Sequence, residues 1–278
     1  MRIIDAHLHF GKEPYFDEIA RAAQHENTEA HLRKVYAELG IVHGIVMGNR
    51  PVADTKTTYP SMLSYCVGIE HNTLPGTDGW LDLAVRAEAL PLIEMHLQRP
   101  ECVGIKLYPG YEHYWIYDDA FAPLYELAAR YGKPVAVHTG LTASPDGLLK
   151  YSHPSVLDEA ATKFRDVQFV MCHFGEPWYT DAAAVLEKNP NVAADLSGIL
   201  EGKIRDFPAF YRQQQTYIAQ LKGWISYLGC FDRFMFGTDW PLANLGDYIT
   251  FTKDIIPEKH WPAVFAENAE RIYHLKLH

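Results

Sequence analysis

The residues with the most chemical reach in this sequence stand at the ends of short apolar runs. His7-Leu8-His9 follows Ile3-Ile4-Asp5-Ala6, His138 follows Val135-Ala136-Val137, His173 follows Val170-Met171-Cys172, and Asp239 follows Phe236-Gly237-Thr238. Imidazoles with one carboxylate suit a first-row divalent ion, zinc first and manganese second, because borderline softness favours nitrogen with a little oxygen. Such an ion lowers the pKa of a coordinated water from about 15.7 towards roughly 7 and polarises a carbonyl. A neighbouring carboxylate can then take the proton from the water and hand it to the leaving group. A His-x-His pair alone arises often by chance, so its weight comes from the other three run ends.

These side chains converge only if the runs are strands whose ends meet. Residues 2–9, 41–47, 63–70, 103–108, 134–138, 167–173, 192–196 and 233–237 are β-branched or apolar and read as eight strands. Between them, 29–39, 90–97, 123–131, 155–164, 181–188, 210–228 and 261–275 carry helical periodicity, and Gly40, Gly132 and Asn189-Pro190 stop three of them. Strict alternation of strand and helix implies parallel strands and right-handed crossovers, which eight units close into an α/β (β/α)8 TIM barrel. The turn-rich pieces 11–27, 48–60, 72–79, 109–119, 140–153 and 240–257 all follow strands, and so gather at the C-terminal rim where such barrels do chemistry. Alternation along the first strand places Asp5, His7 and His9 on one face and turns Ile4, Ala6 and Leu8 to the helices. Ala136 and Gly237 share faces with His138 and Asp239 and make room inside.

The chain has 278 residues, enough for one such barrel as a single domain spanning 1–278, and 48% of them are hydrophobic, enough for a full core. Its formal charge of −10, with no basic stripe, argues against nucleic acid or an anionic membrane and for a small-molecule substrate. No uncharged apolar run is long enough to span a bilayer, and the amino terminus does not read as a signal peptide. Cys66, Cys102, Cys172 and Cys230 are scattered without a C-x-x-C pair, which fits buried thiols in a reducing, cytoplasmic setting. There is no glycine-rich phosphate loop and no nucleophile elbow.

Six segments carry a family resemblance: Ile4-Asp5-Ala6-His7-Leu8-His9, Gly104-Ile105-Lys106-Leu107-Tyr108-Pro109, Pro134-Val135-Ala136-Val137-His138-Thr139-Gly140, Cys172-His173-Phe174-Gly175-Glu176-Pro177-Trp178, Phe236-Gly237-Thr238-Asp239-Trp240-Pro241 and Glu267-Asn268-Ala269-Glu270-Arg271-Ile272. In order and spacing, nearly end to end, the chain resembles the amidohydrolase superfamily in its amidohydrolase-related branch, which also holds aminocarboxymuconate-semialdehyde decarboxylase and the resorcylate decarboxylases. The resemblance implies a distorted eight-stranded barrel with one metal at the C-terminal rim, bound by His7, His9, His138 and Asp239. His173 would stand beside it, as a ligand or as a catalytic side chain orienting the carbonyl or acting as acid. In binuclear members a lysine at the place of Lys106 is carbamylated and bridges two metals, which makes a second ion the alternative to a single one. Otherwise Lys106 could hold a substrate carboxylate or pair with Asp195 or Glu70.

Further substrate contacts are expected from the strand-end loops. Arg50 could clamp a carboxylate bidentately, and His71 could enter the pocket. Trp178 and Trp240 are placed to wall it, and the aromatic stretch Tyr108, Tyr111, His113, Tyr114 and Trp115 could roof a substrate or pack against a second subunit in a homodimer. Two enzymatic readings share these residues. The first is hydrolysis of an ester, lactone or amide bond in a small organic acid; the second is decarboxylation of an aromatic or muconate-like acid. A third class, a barrel retained only for binding, is disfavoured because every ligand type is intact.

Overall fold

The computed structural model describes residues 1–48, 50–56, 58–69 and 89–277. Its eight strands are β1 (Ile3–Leu8), β2 (Ile41–Met47), β3 (Leu63–Ile69), β4 (Cys102–Leu107), β5 (Val135–Val137), β6 (Phe169–Met171), β7 (Val192–Asp195) and β8 (Phe234–Met235). Each pairs in parallel with its sequence neighbour, in the order β1 to β8. The seam between β8 and β1 is stitched beyond the short strand, where Ala6 N donates to Phe236 O at 2.9 Å and Asp239 N to His7 O at 2.8 Å. The result is the expected eight-stranded TIM barrel, distorted because β5, β6 and β8 are only two or three residues long.

Helices cover the outside. The helix Glu29–Leu39 begins where the Thr28 side chain accepts from His31 N and ends at Gly40, whose φ of 74° suits a residue without a Cβ. Three stretches expected to be irregular contain helices, the 140–153 piece only the short Leu149–Ser152. The 11–27 piece contains the helix Pro14–Ala22, with Pro14 in its first turn, and the 240–257 piece contains Leu245–Ile255, capped by the Asn244 side chain. The expected helix over 210–228 is two, Phe207–Gln213 and Gln215–Leu228, and the last one divides into a π-helical turn, Ala263–Glu267, and Asn268–Ile272. The expected loop 72–79 lies outside the described residues. Among the described residues no helix is long and apolar enough to cross a membrane.

Two apolar layers result. The larger lies between strands and helices, with Leu8, Val46, Ile105, Val137, Phe169 and Phe236 pointing outward into it. The smaller fills the barrel: Ile4, Ala6, Ile45, Cys66, Ala136, Val170, Cys172, Ala193 and Met235, joined by Ala266, Ala269, Ile272 and Tyr273 from the last helical segment. Simple alternation along β1 is therefore corrected. Ile4 and Ala6 face the interior, and Asp5 faces outward, where Tyr36 of the Glu29–Leu39 helix donates to its Oδ2 at 3.1 Å. Pairing with β2 slips between Asp5 and Leu8, and the irregularity re-aims His7 into the barrel mouth.

Candidate metal centre

The strand ends deliver a continuous cluster of imidazole and carboxylate groups at the C-terminal mouth. His7 Nε2 and His9 Nε2 lie 3.4 and 3.2 Å from Asp239 Oδ1. His138 Nδ1 lies 3.1 Å from His173 Nε2, and the rings of His7 and His173 are 4.8 Å apart. His7, His9 and Asp239 are close enough together to share one ion. Backbone geometry helps to aim the group, because His173 and Asp239 adopt φ of 62° and 56°, a left-handed conformation that costs roughly 1–2 kcal/mol for residues with a Cβ. Gly198, with φ of 67°, leaves room for His173: a Cβ there would come within 2.5 Å of its Nδ1.

Partners that can only accept hydrogen bonds fix the imidazole tautomers. His7 Nδ1 donates to the Asp195 carboxylate at 2.9 Å, so its Nε2 carries a lone pair. His138 Nε2 donates to the Leu141 carbonyl at 3.0 Å, leaving Nδ1 as the free acceptor. His173 Nδ1 faces the Ser197 carbonyl at 3.2 Å, so its Nε2 is also bare. Lone pairs thus oppose one another across both close contacts, and His7 Nε2 and Asp239 Oδ1 are buried without a hydrogen-bond partner. Buried acceptors facing acceptors need a positive charge between them, which is the environment of a metal ion. The donor set of nitrogen with one carboxylate fits zinc or manganese.

The electrostatics agree. Burial lowers the pKa of His7 and, with the charges of His173 and Lys106, drives that of His138 well down; burial brings His173 to about 4. All three imidazoles are neutral near neutral pH, each with a nitrogen lone pair to offer. Burial alone would raise the Asp239 carboxyl, but His9, whose Nε2 lies 3.2 Å from it, and the neighbouring imidazoles of His7 and His173 outweigh burial and hold Asp239 below the carboxylate range. Asp195 is depressed in the same way, against burial, by His7, His173 and Ser197. Its Oδ1 accepts from the main-chain N–H of His173 and of Ser197 and from the Ser197 hydroxyl, so one carboxylate supports both His7 and His173. Thr238 N and Oγ1 donate to Asp5 at 2.9 and 2.6 Å, tying the start of β1 to the residue before Asp239. Sequence reasoning missed the supporting roles of Asp195, Ser197 and Asp5; only the small residue after a strand-end aspartate, Asp195-Leu196-Ser197, hinted at them.

The residues expected to touch substrate are placed differently. Lys106 is almost wholly buried within the barrel, its Nζ 2.9 Å from Cys172 Sγ, so among the described residues its partner is this thiol and not Asp195. Arg50 stacks on the Tyr59 ring at 4.0 Å and donates to Thr58 O. Trp240 is buried behind the site against His25 and His31. Trp178 packs on His153 and lines an outer cleft with Trp115 and Tyr117. Of the aromatic stretch, Tyr111 reaches the centre, its ring 4.8 Å from that of His138. Phe16 stacks on His9 from the unexpected helix Pro14–Ala22. Glu70 and His71 lie outside the described residues. A cleft of about 630 Å³ runs between Leu141, Gly198, Glu176, Glu201, Arg205, Phe210 and Tyr217, reaching the cluster through Leu141, whose carbonyl accepts from His138, and through Gly198, which packs on His173. Its volume is that of a small-molecule site.

A family description, amidohydrolase, matches residues 4–275, and the chain belongs to that family. It is an enzyme family of hydrolases and decarboxylases, and it is metal-dependent. No curated protein matches the chain. Among solved structures, an uncharacterized TIM-barrel protein of Bordetella bronchiseptica is similar at 21% identity over 99% of both chains, with a TM-score of 0.71. A probable 2-pyrone-4,6-dicarboxylic acid hydrolase of Acinetobacter baumannii, with citric acid bound, is similar at 16% identity, a TM-score of 0.64 and coverage of 99% of this chain and 100% of the other. A dihydroxybenzoic acid decarboxylase of a Polaromonas species, with bound manganese and 2-nitroresorcinol, is similar at 13% identity, a TM-score of 0.67 and coverage of 100% and 98%. At these identities the likeness is one of fold.

Proposed function

We propose that the chain is a hydrolase that uses one divalent ion, zinc or manganese, to split an ester, lactone or amide bond of a small organic acid. The observation that carries this reading is the pair of buried acceptors, His7 Nε2 and Asp239 Oδ1, facing each other at 3.4 Å with no donor between them. His7, His9, His138 and Asp239 would hold the ion, with His173 Nε2 turned to the same point. When bound, the ion supplies an activated water and a Lewis acid for the scissile carbonyl. Asp239, kept ionised, takes the nucleophile's proton on its free oxygen and returns it to the leaving group. His173, neutral and with its bare nitrogen inward, orients rather than donates. Phe16 and Tyr111 screen the two sides of the mouth from water, and the adjoining cleft takes the rest of the substrate.

Decarboxylation of an aromatic or muconate-like acid is the second reading, since a decarboxylase shares this fold. It asks for a cation that grips the departing carboxylate directly. Arg50 and Lys106, the cations singled out for that task, are engaged elsewhere, which favours hydrolysis. The test is elemental analysis of protein purified without added metal, followed by assays on lactones and on carboxylated aromatics. About one ion per chain and acid release without carbon dioxide are expected. Carbon dioxide release would install the second reading. A metal-free protein that added metal does not activate would sink both.

A further inference from the structure

Lys106 is a buried cation that the mechanism above does not use. It is 1% exposed, and its neighbours are a thiol, Cys172 Sγ at 2.9 Å, and the face of Tyr108 at 5.2 Å. No carboxylate among the described residues forms an ion pair with it. A charge this deep costs several kcal/mol unless the surroundings return it. The return lies one group further on. Cys172 sits between Lys106 and Asp195, close enough to His7 and Asp195 for the three to form a single donor group, and Asp195 in turn holds His7 Nδ1. Lys106, Cys172, Asp195 and His7 thus form a buried chain from the barrel axis to the metal centre, and the charge of Lys106 reaches His7, His138 and His173 alike.

We propose that Lys106 is a fixed internal cation that sets the preference of the site for anionic substrates, acting through Cys172 and Asp195 rather than by touching the substrate. Two carboxylates, Asp195 and Asp239, converge on the mouth and would together cancel a divalent ion. Lys106 leaves the centre with one net positive charge, and that surplus attracts a substrate carboxylate. The same surplus repels the metal, so Lys106 trades metal affinity for anion affinity. It is a positioning residue in this sense, and the proposal rests on the organic-acid reading given above.

The experiment uses metal-loaded protein and two probes of similar shape, benzoate and benzamide, titrated by calorimetry, with metal affinity measured separately by competition with a chelator. In Lys106→Met, benzoate binding weakens tenfold or more, benzamide binding is unchanged, and metal affinity stays equal or tightens. Cys172→Ser, which keeps a bridging donor and acceptor, behaves like the native protein, whereas Cys172→Ala loses part of the benzoate affinity. A merely structural role for Lys106 would weaken metal and both probes together, and that result overturns the proposal, as does benzoate binding unchanged in Lys106→Met. If Lys106→Met does not fold, Cys172→Ala against Cys172→Ser decides: equal benzoate affinity in the two overturns the relay. A loaded native protein that prefers benzamide to benzoate would refute the organic-acid reading itself, while a native preference that survives Lys106→Met refutes only the role of Lys106.

Discussion

At the base of the barrel the inward side chains are Ile4, Ala6, Ala136, Val170, Ala193 and Met235, sealed by Ile272 and Tyr273; at the mouth, within a few residues further along or just past the same strands, they are His7, His9, His138, His173, Asp195 and Asp239. The base follows ordinary rules of burial. The mouth breaks them, with neutral imidazoles facing one another, unpartnered acceptors, and His173, Phe174 and Asp239 in left-handed backbone conformations. Strain of this kind persists only where the surrounding structure holds it in place. The comparison teaches a division of labour: the base supplies stability that the mouth spends on arranging ligands.

Two substitutions break the comparison at its extremes. Asp239→Asn removes the carboxylate at the mouth, and activity falls by about 10²–10⁴-fold with reduced metal content. Ile272→Ala at the base does the reverse. A buried isoleucine replaced by alanine costs about 2–5 kcal/mol, read by chemical denaturation, while kcat/KM per folded molecule is retained.

Acid separates the two ends next. His173 in the folded, metal-free protein titrates at about 4 against 6.5 when exposed, because it is buried. Between those values the unfolded chain binds a proton that the folded one does not, so the contribution of His173 is full above the unfolded pKa and drains as pH falls. At about 1.4 kcal/mol per unit, the loss amounts to a few kcal/mol. Asp5 acts with the opposite sign: burial pushes it up to about 7, so the folded form holds a proton that the unfolded form has lost, and its contribution drains as pH rises towards 7. Denaturation of metal-free protein at about pH 7.5 and about pH 5 should show net acid destabilisation that His173→Gln reduces and Asp5→Asn makes steeper.

Much of this was legible in the sequence, for local reasons. Runs such as Ile41–Met47 and Val135–Val137 are β-branched and bounded by turn residues, and alternation with helices dictated the barrel. His7, His9, His138 and Asp239 were legible because each ends such a run, and their convergence follows from parallel strands alone. What was hidden depends on contacts between distant strands. That Asp195 holds His7, 188 residues away, or that Lys106 meets Cys172 rather than Asp195, is set by barrel closure and not by any local pattern. The slip in β1 pairing, which turns Asp5 outward, leaves no signal in Ile4-Asp5-Ala6-His7, and Pro14 read as a loop residue although it opens the helix that brings Phe16 to His9.

The smallest effect locates where support for the mouth ends. Tyr36 OH and Thr238 Oγ1 both donate to Asp5 Oδ2, at 3.1 and 2.6 Å, from opposite sides of β1. Tyr36→Phe removes one donor and costs about 1 kcal/mol, yet Asp5 keeps both bonds from Thr238, the residue bonded to Asp239. Thr238→Val removes a donor at similar cost, but also the acceptor for Trp240 N at 3.1 Å on the far side of Asp239. Similar losses of stability should therefore accompany unequal losses of function, with metal affinity and kcat unchanged in Tyr36→Phe and reduced severalfold in Thr238→Val. Equal function in the two variants would mean that Asp239 is aimed by its contacts with His7 and His9 alone, and that the left-handed turn needs no help from β1.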